Sequence, residues 1–326
     1  MPLKPRELSG SYMNQQVKFG VRIHQHGYTF DDLKRVWTQA DRLGYHSATL
    51  YDLLNSPALE CWTTLSALAA VTERIRLTPL VLANLYRPPA LLAKMSATLD
   101  VISRGRLELG IGAGGGGGDH QASGISFPST AERVRMLEEA VELIKKSWIE
   151  DRADFQGRYY SLEQSLNEPK PVQQPHPPVL IGGHGETHLL RAVARHADIC
   201  NIGFEMSLDE HQAKMEILKR HCNRIGRDPA EIEVTHNTRV SIGATQGEFE
   251  ALAAQGAASS NVSLSAYKES LSRAIAGTPE QCIQQLTRYV DSGIRYFFLL
   301  FPDPISSESL ELFAREVMPH FATSEG

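Results

Sequence analysis

Cysteine is scarce in this 326-residue chain: Cys61, Cys200, Cys222 and Cys282 stand far apart, and no Cys-x-x-Cys pair occurs. That spacing argues against a disulfide framework and against a structural zinc site. His184 and His188 are four apart, but no His-Glu-x-x-His motif frames them, so no metal centre is expected. Basic residues are also in short supply, 33 Lys and Arg against 38 Asp and Glu, for a net charge of -5. A nucleic-acid binder would carry a basic stripe, so no nucleic-acid partner is expected. No apolar run approaches the length that spans a bilayer. No apolar h-region with a small-residue cleavage site follows Met1. The expectation is a reduced cytoplasmic protein with no membrane partner.

What is present is a repeating alternation of short apolar runs and amphipathic segments. Strand-like runs are predicted at 17–23, 47–51, 75–82, 106–111, 179–181, 198–202, 232–242 and 296–301. Between and after them, helical patterns span 31–43, 62–71, 88–102, 130–148, 187–196, 208–225, 279–292 and 310–321. The first helix puts Leu33, Val36, Trp37, Ala40 and Leu43 on one face, and Gly44 follows as a C-terminal glycine should. Strands alternating with helices imply parallel pairing with helical crossovers. Eight such units favour a single-domain α/β fold over 1–326, a closed TIM-like (β/α)8 barrel, rather than an open doubly wound sheet. Residues 1–16 read as a loosely held tail. Three stretches, 112–129, 151–178 and 244–277, exceed a minimal barrel and read as insertions. The first is a glycine-rich loop, the second suggests a hairpin, and the third has weak helical periodicity.

The strongest local motif is Gly182-Gly183-His184-Gly185 at a strand-to-helix turn. Glycines there let backbone N–H groups approach an anion, and the helix start adds positive partial charge. A phosphate is the natural guest, although a tight turn alone would also use these residues. Residues 110–115 formally satisfy G-x-G-x-x-G, yet further glycines follow instead of a helix, so a dinucleotide fingerprint is weak. Gly112, Ala113, Gly114 and Gly115 suit a loop pressed against a planar ring or a phosphate, or a flexible linker. No Gly-Lys-Ser/Thr follows, which excludes a P-loop. His24 and His26 end the first strand, where an imidazole could move a proton or simply lie on the surface. Asp52, after the second strand, could accept a hydrogen bond from a ligand or cap the next segment.

Longer stretches carry a resemblance. Residues 62–77, 86–100, 105–107, 124–140, 169–201 and 277–280 resemble the luciferase-like monooxygenase superfamily, and 169–201 its coenzyme F420-dependent branch. The likeness runs from Phe19 nearly to the C-terminus. It implies a bacterial luciferase-like barrel, commonly a homodimer, that binds FMN or coenzyme F420 at the strand C-termini. It further implies a non-prolyl cis peptide near Leu80-Val81 behind the ring, with Gly182 to Gly185 as the phosphate loop and 112–115 lining the other side. Two departures stand out. Many F420-dependent members carry Asp-His after the second strand, whereas this chain has Asp52-Leu53. Where an aromatic or acidic residue is common near Gly115, five glycines run over 114–118.

The resemblance thus implies hydride transfer between coenzyme F420 and a small-molecule substrate; with that histidine absent, the proton is expected from solvent or from His24 or His26. The alternatives are an FMNH2-dependent monooxygenase fed by a separate reductase, and a non-catalytic flavin-binding protein.

Overall fold

The computed structural model describes residues 16–115, 117–183 and 185–322. His184 of the expected phosphate loop and most of the expected N-terminal tail lie outside these residues.

Alternate residues of β1 (Lys18–Arg22) go to opposite faces of a sheet. Phe19 and Val21 join the layer between strands and helices, while Lys18, Gly20 and Arg22 point the other way. α1 (Phe30–Leu43) packs onto that outer layer through Leu33, Val36, Trp37 and Ala40. A Thr29–Asp32 capping box starts the helix, and Gly44, at φ 84°, stops it. The alternation continues through β2 (Ser47–Leu50), α2 (Cys61–Ala70), β3 (Arg76–Pro79), β4 (Leu82–Ala83) and α3 (Pro89–Ser103). Next come β5 (Leu109–Gly112), α4 (Gly117–Ala122) and α5 (Thr130–Ile149), then a hairpin of β6 (Ala153–Gln156) and β7 (Ser161–Ser165). β8 (Val179–Gly183), α6 (Leu189–His196), β9 (Ile199–Ile202), α7 (Leu208–Ile225) and β10 (Glu233–Ile242) follow. The chain ends with α8 (Gln246–Ser259), α9 (Leu264–Ser270), β11 (Ile275–Gly277), α10 (Pro279–Asp291), β12 (Tyr296–Leu300) and α11 (Ser307–Glu316).

The large sheet runs β3-β2-β1-β12-β10-β9-β8-β5-β4, with β11 beside β10, and all its pairs are parallel. It closes where Leu77 meets Leu107: the Leu77 N–H reaches Arg106 O at 2.9 Å, and the Glu108 N–H reaches Leu77 O at 3.0 Å. β3 and β4 are therefore two halves of one stave, giving the eight staves of a TIM-like barrel. The interior holds a small cluster of its own, Leu80, Leu180, Ile199, Tyr296 and Phe298, with Val81 against it.

The N-terminal end of the barrel is sealed by polar groups. Glu108 accepts from Arg76 Nε at 2.7 Å, Thr78 Oγ1 at 2.8 Å and the Tyr296 hydroxyl at 2.9 Å. Burial alone would raise the Glu108 carboxyl, but His46, Arg76 and Thr78 outweigh it and hold the group at about 2.

Three expectations need correction. The run 75–82 is two short strands rather than one, because the chain bends at the cis peptide Leu80-Val81. Gly112 ends β5, and the loop expected after it contains α4. Glycine disfavours helix, but His120 anchors this turn between the rings of Tyr86 and Phe127, 4.8 and 4.6 Å away. The last helix stops at Glu316 because Pro319 has no N–H to donate, and Met318–Phe321 forms a separate 3-10 turn.

Candidate active site

The C-terminal ends of the barrel strands converge on one mouth. The peptide Leu80-Val81 is cis, and it turns the Val81 side chain toward the strand ends of β5 and β8. Glycine is required there. A Cβ on Gly112 would lie 2.8 Å from Val81 Cγ2 and 2.9 Å from the Gly182 carbonyl oxygen. A Cβ on Gly182 would lie 2.8 Å from Val81 Cγ1. Val81 is thus wedged against two bare backbones and forms part of the wall of a cavity of about 160 Å³.

Leu80, Val81, Gly182 and Gly183 of the expected set line that cavity. The rest of the lining comes from residues not foreseen in the sequence: Arg22, Asn201, Phe204 and Asn237, with Gly203. Asn201 and Asn237 exchange side-chain amide hydrogen bonds at 3.1 and 2.9 Å. The remaining Asn201 N–H goes to Thr235 at 2.6 Å, and that of Asn237 to the Gly203 carbonyl at 2.9 Å. The signal that could have found Arg22 is parity: it lies two residues before His24 and shares the inward face with Lys18 and Gly20.

His24 and His26 stand beside the cavity rather than in its lining. Their Nδ1 atoms are 3.2 Å apart, so one imidazole must donate and the other accept. Burial first, and neighbouring His26 next, lower the His24 pKa from its ordinary value, with Asp303 opposing. Tyr51 packs edge-on against His24 at 5.0 Å and is fixed through its backbone by the Gln25 amide at 2.7 and 2.9 Å.

Asp52 is almost fully buried. Its oxygens accept from Arg87 Nη1 at 2.7 Å and Nη2 at 3.0 Å, and from the Ala83 N–H at 2.9 Å. Its partners are therefore protein groups on the segment just past the cis peptide. Ala113, Gly114 and Gly115 run along the rim. Gly114 takes φ 81°, and a Cβ there would meet His120 Nε2 at 3.2 Å, while Gly115 faces open space. Beside them, at the end of the neighbouring strand β8, Gly183 and Gly185 lead into α6, whose N-terminus has no side-chain cap. Among the described residues, no group of three or more His, Cys, Asp or Glu could hold a metal, and no helix is long and apolar enough to cross a membrane.

The family model for luciferase-like monooxygenases matches residues 13–296. An F420-dependent glucose-6-phosphate dehydrogenase of Kineococcus radiotolerans is 31% identical over 238 residues, covering 70% of this chain and 68% of that protein. Several other curated relatives match over 52% to 59% of their own length. Among solved structures, the coenzyme F420-dependent tetrahydromethanopterin reductase of Methanopyrus kandleri superposes with a TM-score of 0.78 at 18% identity, covering 94% of this chain and 100% of that one. The oxygenating constituent of 3,6-diketocamphane monooxygenase of Pseudomonas putida, in complex with FMN, gives 0.75 at 18% identity over 94% and 99%. Both share the barrel described above. With the family model spanning most of its length, the chain belongs to the luciferase-like monooxygenase family.

Proposed function

We propose that this enzyme transfers a hydride between coenzyme F420 and a small organic substrate at the barrel mouth. The observation that carries the reading is the cradle at Val81: a side chain from a cis turn, pressed against Gly112 and Gly182 where any Cβ would intrude. Such a wall fits the face of a flat ring. Similarity to an F420-dependent relative over 70% of the chain supports F420 as that ring's owner, with FMN as the alternative. When bound, the coenzyme supplies a ring carbon that gives or takes the hydride.

The chain's own residues hold, orient and exclude. Leu80 and Val81 back one face of the ring site. Gly182, Gly183 and Gly185, with His184 between them, receive a phosphate on the tail, helped by the uncapped start of α6. Asp52 serves as a positioning residue through Arg87 and Ala83, fixing the Val81 turn. Leu53 stands where the sugar-phosphate dehydrogenases of the resemblance carry histidine, so the proton falls to the His24–His26 pair. Gly112 to Gly115 form the rim between the Val81 turn and the phosphate loop. A homodimer, a separate reductase renewing the reduced coenzyme, and a cytoplasmic location complete the reading. The four free, buried cysteines support that location.

Fluorescence titration of one preparation with F420 and with FMN tests the proposal. Tight F420 binding with weak FMN binding is expected. Tight FMN binding with no F420 affinity would overturn it, and oxygen-dependent turnover with FMNH2 would then select the monooxygenase alternative.

A further inference from the structure

The barrel mouth has two arginines of inward parity, Arg22 on β1 and Arg239 on β10. Arg239 is closed by Glu205, which accepts from its Nε at 2.5 Å and Nη2 at 2.9 Å. Arg22 is left open. Its Nε donates to the Tyr51 hydroxyl at 2.6 Å, and its guanidinium lies 4.6 Å from the Phe204 ring centre and 5.2 Å from that of Tyr51. Its Nη1 is buried with no hydrogen-bond partner, and among the described residues no carboxylate pairs with it. A buried guanidinium N–H without an acceptor forgoes a charge-assisted hydrogen bond. The position is therefore built for an acceptor that the chain does not contain.

The surroundings say where that acceptor comes from. The two asparagines on the cavity wall satisfy their amide N–H groups within the protein, and the remaining walls are apolar or glycine. The strand order puts β1 four staves from β8 in either direction, directly across the mouth. On the coenzyme reading, a planar ring whose tail is held at Gly183 and which lies against Val81 would present its far edge to β1. Tyr51, which orients Arg22, is itself locked by Gln25, so the guanidinium is held in place before any ligand arrives.

We propose that Arg22 receives an electronegative oxygen on the far edge of the coenzyme's ring system. The contact fixes how deeply the ring inserts and favours the redox state in which that edge carries negative charge. The proposal rests on the coenzyme reading given above.

Arg22→Met and Arg22→Lys test it by titration with F420, FMN and riboflavin, and by the midpoint potential of bound FMN. Arg22→Met is expected to weaken FMN and riboflavin by the same factor, about ten- to a hundredfold, the worth of one hydrogen bond to a charged group. Equal loss for riboflavin, which has no phosphate, assigns the effect to the ring. The potential of bound FMN should become more negative, and Arg22→Lys should recover part of both changes. If Arg22→Met fails to fold, the lysine variant carries the comparison, with affinity and potential displaced in the same directions. Unchanged ring affinity and potential in the variants, including the case where only KM for an acidic substrate rises, would overturn the Arg22 assignment alone. A parent protein that binds none of the three ligands would overturn the coenzyme reading itself.

Discussion

Arg87 closes on Asp52 through both carboxylate oxygens, while the Ala83 N–H occupies Oδ2 beside it. The pair ties the end of β2 to the segment that carries the Val81 turn. Asp52→Ala would leave Arg87 partly buried without this partner, a loss of about 3–5 kcal/mol for a broken buried pair. Arg87 keeps Glu60 at 2.6 Å, so the low end of that range is expected in urea denaturation. Coenzyme affinity should fall with it, as the turn loosens. An Asp52→Ala protein with parental stability and affinity would remove this role.

Gly112 and Gly182 make separable predictions. Each alanine should cost about 1–3 kcal/mol by overpacking and weaken coenzyme binding. With Val81→Ala also present, the nearest remaining neighbour of a Cβ on Gly182 is the Asn201 carbonyl oxygen at 3.5 Å, an ordinary contact. A Cβ on Gly112 still meets the Gly182 carbonyl oxygen at 2.9 Å. Val81→Ala is therefore expected to restore the melting temperature of Gly182→Ala and not that of Gly112→Ala.

The His24–His26 contact predicts redundancy. Either imidazole can present a proton to the mouth while the other holds its tautomer. Replacing one with Gln should reduce turnover partly. Replacing both should remove the general acid–base contribution, about 10²–10⁴-fold, with coenzyme affinity intact. Equal turnover in parent and double variant would exclude the pair as the proton source.

Acid stability follows from two other histidines. Burial, with His211 adding to it, lowers His236 from 6.5 to about 3. Burial, with Lys145 next, lowers His196 from 6.5 to about 4. As the pH drops below 6.5 the unfolded chain binds protons at these sites and the folded chain does not. Stability should show no contribution from either above that point. Below it, each histidine should remove about 1.4 kcal/mol per pH unit until its folded value is reached. Glu108, held at about 2 in the fold against an ordinary 4.5, adds a further loss below 4.5. Urea midpoints across this range should fall less steeply for His236→Phe than for the parent.

Much of the barrel was legible because its outer layer leaves a periodic trace. Leu33, Val36, Trp37 and Ala40 mark a helix face, and Gly44 its end. The break at Leu80-Val81 leaves no such trace, since 75–82 is apolar enough to read as one continuous strand. Only the family likeness pointed there. Arg22 was missed because a charge near the end of a strand-like run, with Lys18 earlier in the same run, looks like ordinary strand-end polarity. Its meaning comes from Tyr51 and Phe204, brought beside it by the closed sheet. Asp52 was noticed without its partner, because nothing in one sequence couples it to Arg87, 35 positions on.

The polar plug around Glu108 turns the barrel into a cul-de-sac. With Arg76, Thr78 and Tyr296 filling one end, traffic has a single doorway. On the proposed reading the ring seats against Val81 inside that doorway and the substrate must enter over it, so whatever arrives last must depart first. Steady-state kinetics should then be ordered, with saturating substrate slowing the release of coenzyme beneath it.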